Sequence, residues 1–160
     1  MKKIILTYGI IAGLISSVLG TLNWLLIAHP MGVKGSQTIG YMSITLSLLC
    51  IPLGVRFYRD KLNNETVSFG QAIKIGLGIT VVASVVMAIH SVLFFTFQKE
   101  EFLDWQRKDL SLPELTAFNE QLAQLPEFAY TPWFQGLVMF LMVFLIGGVV
   151  NLISAIILKK

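Results

Sequence analysis

Residues 134–158 read FQGLVMFLMVFLIGGVVNLISAIIL, a run of 25 residues without a charged side chain. A helix needs about 20 mostly apolar residues to cross the hydrocarbon core of a bilayer. Three earlier segments have the same character: residues 4–28 and 38–55 hold no charge, and residues 75–97 hold no lysine, arginine or carboxylate. The sequence therefore predicts an all-α integral membrane bundle of four transmembrane helices, in a single domain over residues 1–160.

The overall composition agrees with this prediction. Of the 160 residues, 55% are hydrophobic and 13% are charged, whereas soluble domains carry about 25% charged residues. These values exclude a disordered chain, a nucleic-acid-binding domain and a soluble enzyme with an ordinary charged surface. Cys50 is the only cysteine, so an intramolecular disulfide and a cysteine metal site are both excluded, and we expect no cofactor.

The basic residues indicate the orientation. With four spans, the two termini and the middle loop share one side of the membrane, which holds eight basic and two acidic residues. The other side holds four basic and seven acidic residues. Because lysine and arginine near span ends favour the cytoplasm, we expect both termini to be cytoplasmic. Met1-Lys2-Lys3 could also open a signal peptide, but 25 apolar residues exceed the usual 7–15, so we expect this span to be retained.

The loop over residues 98–133, on the outer side, is the only long polar segment. Its apolar residues recur at helical spacing, and Ser111 with Glu114 fits a capping box. The repeated positions are Leu112, Leu115, Phe118, Leu122 and Leu125. We expect a short amphipathic helix that covers the mouth of the bundle or lies among the lipid headgroups. A partner-binding groove or a substrate lid is the alternative.

Three polar side chains within the spans are candidates for a functional site. His90 is the only ionisable one, and an ionisable group at membrane depth is a functional candidate by default. Asn23 is predicted at a similar depth and could be its hydrogen-bond partner. Asn151 is predicted nearer the cytoplasmic side. A purely structural role, in which the side chain bonds a neighbouring group, is favoured for His90 and for Asn151.

Small residues predict the faces through which the helices pack, because close approach and interhelical hydrogen bonds drive association in lipid. The candidate packing residues are Gly9, Gly13, Gly20, Gly76, Gly147 and Gly148. We expect them to pack within the chain rather than between copies of it.

A basic cluster follows the second span on the cytoplasmic side. It comprises Arg56, Arg59, Lys61 and Lys74. Its simplest interpretation is an anchor that contacts lipid phosphates and sets the topology. A specific site for an anionic headgroup or a nucleotide is the alternative.

Several segments resemble a bacterial family, domain of unknown function 4199. They are Ile39-Gly40-Tyr41-Met42-Ser43, Tyr58-Arg59-Asp60-Lys61, residues 68–76 (SFGQAIKIG) and residues 152–160 (LISAIILKK). Their order and the long loop before the last span also fit. The resemblance implies four spans and a location in the bacterial inner membrane, and it carries no activity or catalytic residue.

The sequence shows no catalytic constellation, such as H-E-x-x-H, a glycine-rich phosphate loop or paired intramembrane aspartates. We therefore expect an inner-membrane protein with an accessory or protein-interaction role and no catalysis. Its expected partners are the lipid bilayer and another membrane protein or a second copy, with no nucleic acid. A small-molecule transporter or channel subunit acting as a homo-oligomer is the alternative, and a lipid-modifying enzyme is the third hypothesis.

Overall fold

The computed structural model describes residues 1–108 and 110–159 of the protein, and within them the chain is helical with no strand. The elements, in order, are α1 (Lys2–Leu22), a π-helical segment (Asn23–Ala28), α2 (His29–Ser47), α3 (Cys50–Leu62), α4 (Phe69–Arg107), α5 (Leu112–Gln124), a 3-10 turn (Glu127–Tyr130) and α6 (Pro132–Leu158). The prediction of an all-α chain is confirmed.

Three helical stretches are long and apolar enough to cross a membrane. They are Lys2–Leu62, Phe69–Arg107 and Pro132–Leu158. The sequence predicted four separate spans, and the difference arises because the first two predicted spans lie within one nearly continuous helical stretch, Lys2–Leu62.

That first stretch folds back on itself. In a straight helix Ser16 and Ser47 would be about 46 Å apart, yet their hydroxyl groups are hydrogen-bonded to each other. The interruption is at Gly32, whose φ of 66° lies in the left-handed region that favours glycine. Thus α1 and α2 run side by side in opposite directions.

A second interruption separates α2 from α3 at residues 48 and 49. Pro52 lies in the first turn of α3, where a missing backbone N–H is tolerated. Its ring would clash with the carbonyl of Leu48 if the helix ran on without a break. A proline within the second predicted span favours a kink, and the structure breaks the helix one turn before Pro52 for this reason.

Helix α4 occupies the centre of the bundle and packs against α1, α3 and α6. It begins with the predicted cap, since Ser68 and Gln71 form a complete capping box. Thr80 and Ser84 are fully buried, and each hydroxyl donates to a carbonyl one turn earlier in the same helix. Because both hydroxyl groups are hydrogen-bonded within α4, neither needs a partner from a neighbouring helix. A neighbouring helix can therefore pack closely against α4 here.

The outer surface of the bundle is apolar, and the loop helix lies apart from the core. Large hydrophobic side chains on α1 and α6, such as Leu14 and Leu145, are exposed. Helix α5 has the predicted capping box at Ser111 and Glu114, and none of its residues is buried. The exposed apolar belt is what a membrane environment would cover.

Candidate functional site

A cavity of about 330 Å³ lies between α1, α2, α4 and α6, in the half of the bundle next to the outer loop. Most of its wall is apolar. The polar part of the lining consists of amide and hydroxyl side chains and one histidine. The apolar wall includes Trp24, Met87, Phe94, Phe95, Phe102, Met139 and Met142. The polar lining includes Asn23, Ser36, Gln37, His90, Ser91 and Gln135. Mostly apolar concave sites with a few convergent polar groups are typical of small-molecule binding.

Asn23 is held in the cavity wall by the returning helix. It is the first residue of the π-helical segment, and such wider turns are frequent at functional sites. Its Nδ2 donates to the backbone carbonyl and to the hydroxyl of Ser36, both at 3.0 Å. A carbonyl can only accept, so these bonds fix the amide group with its nitrogen towards α2.

The other end of the same amide has no partner. The Oδ1 of Asn23 is buried and accepts no hydrogen bond, in a residue whose exposed fraction is 9%. Leaving a buried acceptor unpaired costs free energy, and such groups are rare in native proteins. The wall of the cavity therefore contains a buried amide oxygen without a hydrogen-bond partner.

His90 lines the same cavity but is not bonded to Asn23, the partner that the sequence suggested. Its Nε2 lies 3.0 Å from Oγ1 of Thr21, whose hydroxyl also lies 3.0 Å from the carbonyl of Ser17. The imidazole is therefore linked to one face of α1. Asn23 and His90 are brought to one cavity, each with its own partner.

An aromatic cluster closes the outer end of the cavity. Trp24 contacts Phe94, Phe102 and Trp105, with ring centroids 5.3–5.9 Å apart. The indole Nε1 of Trp105 donates to the carbonyl of Ala28 at 2.9 Å. The extension of α4 beyond the predicted span is thereby fixed to the tip of the α1–α2 hairpin.

The side of the cavity between α2 and α6 is open. Tyr41 of α2 and Val138 of α6 both line the cavity, and both are exposed on the outside of the bundle. Deeper in, Ser91 donates to the carbonyl of Gln135, and this bond joins α4 to the start of α6. The two exposed lining residues indicate that the cavity reaches the surface in the gap between α2 and α6.

Asn151 lies elsewhere, in the interface between α4 and α6. Its Nδ2 donates to the carbonyl of Ile73 at 3.1 Å, and its Oδ1 is buried without a partner. A Cβ at Gly76 would overlap the amide of Asn151. Ser154 donates to a carbonyl of its own helix, at Val150. The three polar candidates within the predicted spans are thus divided between the cavity, which holds Asn23 and His90, and a packed interface, which holds Asn151.

The predicted packing glycines differ in what surrounds them. A Cβ added at Gly9 or at Gly13 would lie 2.5 Å from the Cβ of Val82 or Val86, respectively. Both glycines therefore let α1 approach α4 closely. A Cβ at Gly20 would lie 3.8 Å from His90 in the cavity.

On α6, the two adjacent glycines have opposite environments. A Cβ at Gly147 would overlap Thr80 of α4, whereas a Cβ at Gly148 has no described atom within 4 Å. Gly136 also lies against α4, where a Cβ would be 2.6 Å from Val92. Gly136 was not among the predicted packing glycines, because it stands alone near the start of the span.

In the basic cluster, the two arginines form bonds within the protein, whereas the two lysines are exposed. Arg59 bonds to Asp60 at 2.6 Å and to the carbonyl of Leu158, near the end of α6, at 3.4 Å. Arg56 forms an exposed pair with the same aspartate. Lys61 and Lys74 are exposed. Lys160, which the sequence placed on the same side, lies outside the described residues.

Metal chemistry has no candidate within the described ranges. No group of three or more His, Cys, Asp or Glu side chains in residues 1–108 and 110–159 is arranged to hold a metal ion.

The sequence did not predict most of the residues that form the wall of this cavity. Ser36 was not considered, since it precedes the predicted second span and its contact with Asn23 depends on the reversal at Gly32. The aromatic cluster of Trp24, Phe94 and Trp105 was not predicted either. Their recurrence at the outer ends of two spans is the signal that could have indicated an aromatic cluster.

The comparisons with known proteins give one match. The family model described as "Protein of unknown function (DUF4199)" matches residues 7–160. No curated protein and no solved structure matches the chain.

Proposed function

The chain belongs to this family of unknown function, and we propose that it is an inner-membrane accessory protein that binds a membrane component without transforming it. The observation that carries the proposal is the mostly apolar cavity between α1, α2, α4 and α6, with its few polar lining groups.

The proposed topology has four passes. The helical stretch Lys2–Leu62 would be about 90 Å long if straight, roughly three times the thickness of the hydrocarbon core. Because it reverses at Gly32, it supplies two passes, with α3 completing the second. Helices α4 and α6 supply the other two.

The proposed orientation has both termini in the cytoplasm of a bacterium. Eight basic and two acidic residues flank the passes on the side of the termini, against four basic and seven acidic residues on the other. This asymmetry is typical of cytoplasmic termini. On this orientation the cavity opens in the outer leaflet.

Helix α5 fits a position at the outer membrane surface. Leu115, Phe118 and Leu122 share one face of it and are only half-exposed, whereas none of its residues is packed in the core. We propose that this face lies on the headgroup region. Its acidic side chains, Glu114 and Glu120, then remain in water.

Binding is favoured over catalysis and transport. The polar groups that line the cavity are amides, hydroxyls and one imidazole, and this set can recognise a ligand by hydrogen bonds. The amide of Asn151 is engaged between α4 and α6 and does not continue the polar lining towards the cytoplasm. A route across the protein would therefore have to pass through the packed interface between α4 and α6, where the side chains of Thr80 and Asn151 are hydrogen-bonded.

Occupancy of the cavity can be tested by tryptophan fluorescence. Trp24 and Trp105 line the cavity, whereas Trp133 is 79% exposed outside it. In a Trp133→Phe background, an alkane brominated at one end should quench the emission saturably, because it reaches the two indoles. Val138→Phe, at the mouth, should weaken this quenching.

The matched control is Val149→Phe, on the same helix but exposed outside the cavity. We expect this variant to bind the probe as the parent does. Equal binding by the parent and both variants would show that the probe enters elsewhere, and the proposed site would be rejected.

The accessory role predicts association in native membranes. After mild solubilisation, the tagged full chain should be recovered with another membrane protein or with a second copy of itself. Recovery of a partnerless monomer, with the chain shown to be folded, would contradict the interaction role.

A further inference from the structure

We propose that the cavity holds the terminal part of a lipid acyl chain, while the headgroup of the same lipid stays outside, at the mouth between Tyr41 and Val138. The inference rests on the proposed binding function and names its ligand class. It combines three observations: the internal hydrogen bonds of the lining, the size and side chains of the apolar wall, and the exposed polar side chains at the mouth.

Most polar side chains of the lining already bond to other groups of the protein. Those that carry a hydroxyl, amide or imidazole group and take part in such a bond are Ser16, Asn23, Ser36, Ser43, His90, Ser91 and Gln135. Ser43, for example, donates to the carbonyl of Ile39, and Nε2 of Gln135 donates to the carbonyl of Ala129, both at 2.8 Å. A polar headgroup inside the cavity would therefore lose its bonds to water and gain few in return, which costs free energy.

The rest of the wall suits a hydrocarbon chain. Met87, Met139 and Met142 line the cavity together with the aromatic cluster, and methionine side chains are flexible enough to fit irregular apolar ligands. No Lys, Arg, Asp or Glu is among the residues described around this cavity, so a charged group would lie there without a counterion. An uncharged, flexible alkyl chain meets neither penalty.

The size of the cavity limits how much of the chain it can take. A volume of about 330 Å³ holds on the order of ten groups of the size of water, which is also about the size of a methylene. The cavity therefore takes on the order of ten carbons, and the remainder of a longer acyl chain must lie outside it.

Exposed polar side chains lie where the cavity reaches the surface. Gln37 and Tyr41 both line the cavity and are exposed, and they lie one turn apart on the same face of α2. Their amide and phenol groups can form hydrogen bonds with an ester linkage or a headgroup of either charge. A lipid whose chain enters beside Val138 thus has its polar end next to these two residues.

The test locates the bromine of a bound probe by its quenching of tryptophan. In the Trp133→Phe protein the remaining indoles belong to Trp24 and Trp105, whose exposed fractions are 9% and 5%, so bromine in the surrounding lipid is largely kept from them. Two phosphocholine probes carry the same alkyl chain of about twelve carbons, slightly more than the cavity holds. One is brominated at the chain end and the other next to the headgroup. In phosphatidylcholine vesicles, at equal mole fractions, the first should quench saturably and the second should quench far less.

The identity of the headgroup should matter little, because the headgroup stays outside. Probes with bromine at the chain end and a phosphocholine, carboxylate or hydroxyl headgroup should bind with affinities within about threefold of one another. A headgroup that entered the cavity would instead make the affinity depend strongly on its charge.

Gly20 offers a variant that fills part of the cavity. It belongs to the lining, and a Cβ there would lie at ordinary contact distance, 3.8 Å, from Cε1 of His90. In a series of probes brominated at the chain end, the parent should gain no affinity beyond about ten carbons, and Gly20→Leu should reach this limit about four carbons earlier. Gly148→Leu is the matched control, since a Cβ at Gly148 has no described atom within 4 Å and Gly148 lies outside the lining. It should behave as the parent does.

The outcomes separate this inference from the proposed function. If Val138→Phe weakens the binding of every probe, but bromine next to the headgroup quenches as strongly as bromine at the chain end, the cavity is occupied and the acyl-chain inference is wrong. An affinity that varies more than about threefold with the headgroup, or a length limit that Gly20→Leu leaves unchanged, also overturns it. Equal binding by the parent and Val138→Phe rejects the proposed site itself. The comparison of bromine positions on the parent stands even where Gly20→Leu does not fold.

Discussion

The indole Nε1 of Trp105 donates a 2.9 Å hydrogen bond to the backbone carbonyl of Ala28, across 77 positions of sequence. Helical geometry is interrupted four residues later, at Gly32, so this carbonyl lies near a helix end, where such groups need other partners. The bond joins the extension of α4 to the tip of the α1–α2 hairpin. It therefore positions the aromatic end of the cavity.

Loss of this bond should loosen the hairpin tip. Trp105→Phe keeps an aromatic ring but leaves the Ala28 carbonyl unpaired, and we expect it to destabilise the protein by about 1–3 kcal/mol. Hydrogen exchange should accelerate over residues 23–36. Trp133→Phe is the matched control, since Trp133 is 79% exposed, and it should change neither property. Equal exchange in the two variants would contradict the role given to Trp105.

The close contact of α1 with α4 predicts a difference between two glycines. Gly13→Ala places a methyl group 2.5 Å from the Cβ of Val86, so the helices must separate. Overpacking of this kind costs about 1–3 kcal/mol, measurable as easier unfolding in a denaturing detergent. Gly148→Ala has no described atom within 4 Å of its new methyl group and should be neutral or slightly stabilising. The reverse order would disprove this packing arrangement.

The capping box of α5 should make that helix sensitive to acid. The hydroxyl and backbone amide of Ser111 both donate to the carboxylate of Glu114, and they hold its pKa below the usual range. A lowered pKa in the folded state adds stability above the usual glutamate pKa of about 4.3, and this is lost as the pH falls through the lower value.

The corresponding measurement is hydrogen exchange over residues 112–124, corrected for intrinsic rates, between neutral and acidic pH. Protection in the parent should fall on acidification, and Glu114→Gln should flatten that dependence. Glu120→Gln, a substitution of the same kind on the same helix, should follow the parent. A pH dependence that Glu114→Gln leaves intact would assign the effect to another group.

Local sequence signals were sufficient to predict much of the fold, but they did not predict its long-range contacts. The caps at Ser68 and Ser111 follow from residues three positions apart, and the apolar runs predicted the long helices. The break before Pro52 arises from a clash with a carbonyl four residues earlier. The sequence located this break only to within one helical turn.

The candidate site depends on geometry that sequence spacing does not carry. Asn23 was expected to meet His90 because their predicted depths agree. The depth of a residue in the membrane does not fix the direction in which its side chain points. The π-helical segment changes that direction from Asn23 onwards. As a result Asn23 bonds to Ser36, while His90 contacts Thr21, two residues earlier in the chain.

The antiparallel arrangement of α1 and α2 predicts a specific crosslink. The hydroxyls of Ser16 and Ser47 are in contact, so cysteines at these positions are close enough for a disulfide, which needs Cβ atoms about 3.5–4.5 Å apart. In a Cys50→Ala background, Ser16→Cys with Ser47→Cys should oxidise readily to an intramolecular disulfide. Ser17→Cys with Ser47→Cys should not, because Ser17 faces Met87 of α4 instead. Crosslinking in both pairs or in neither would contradict a fixed hairpin, and with it the argument that Lys2–Leu62 supplies two passes.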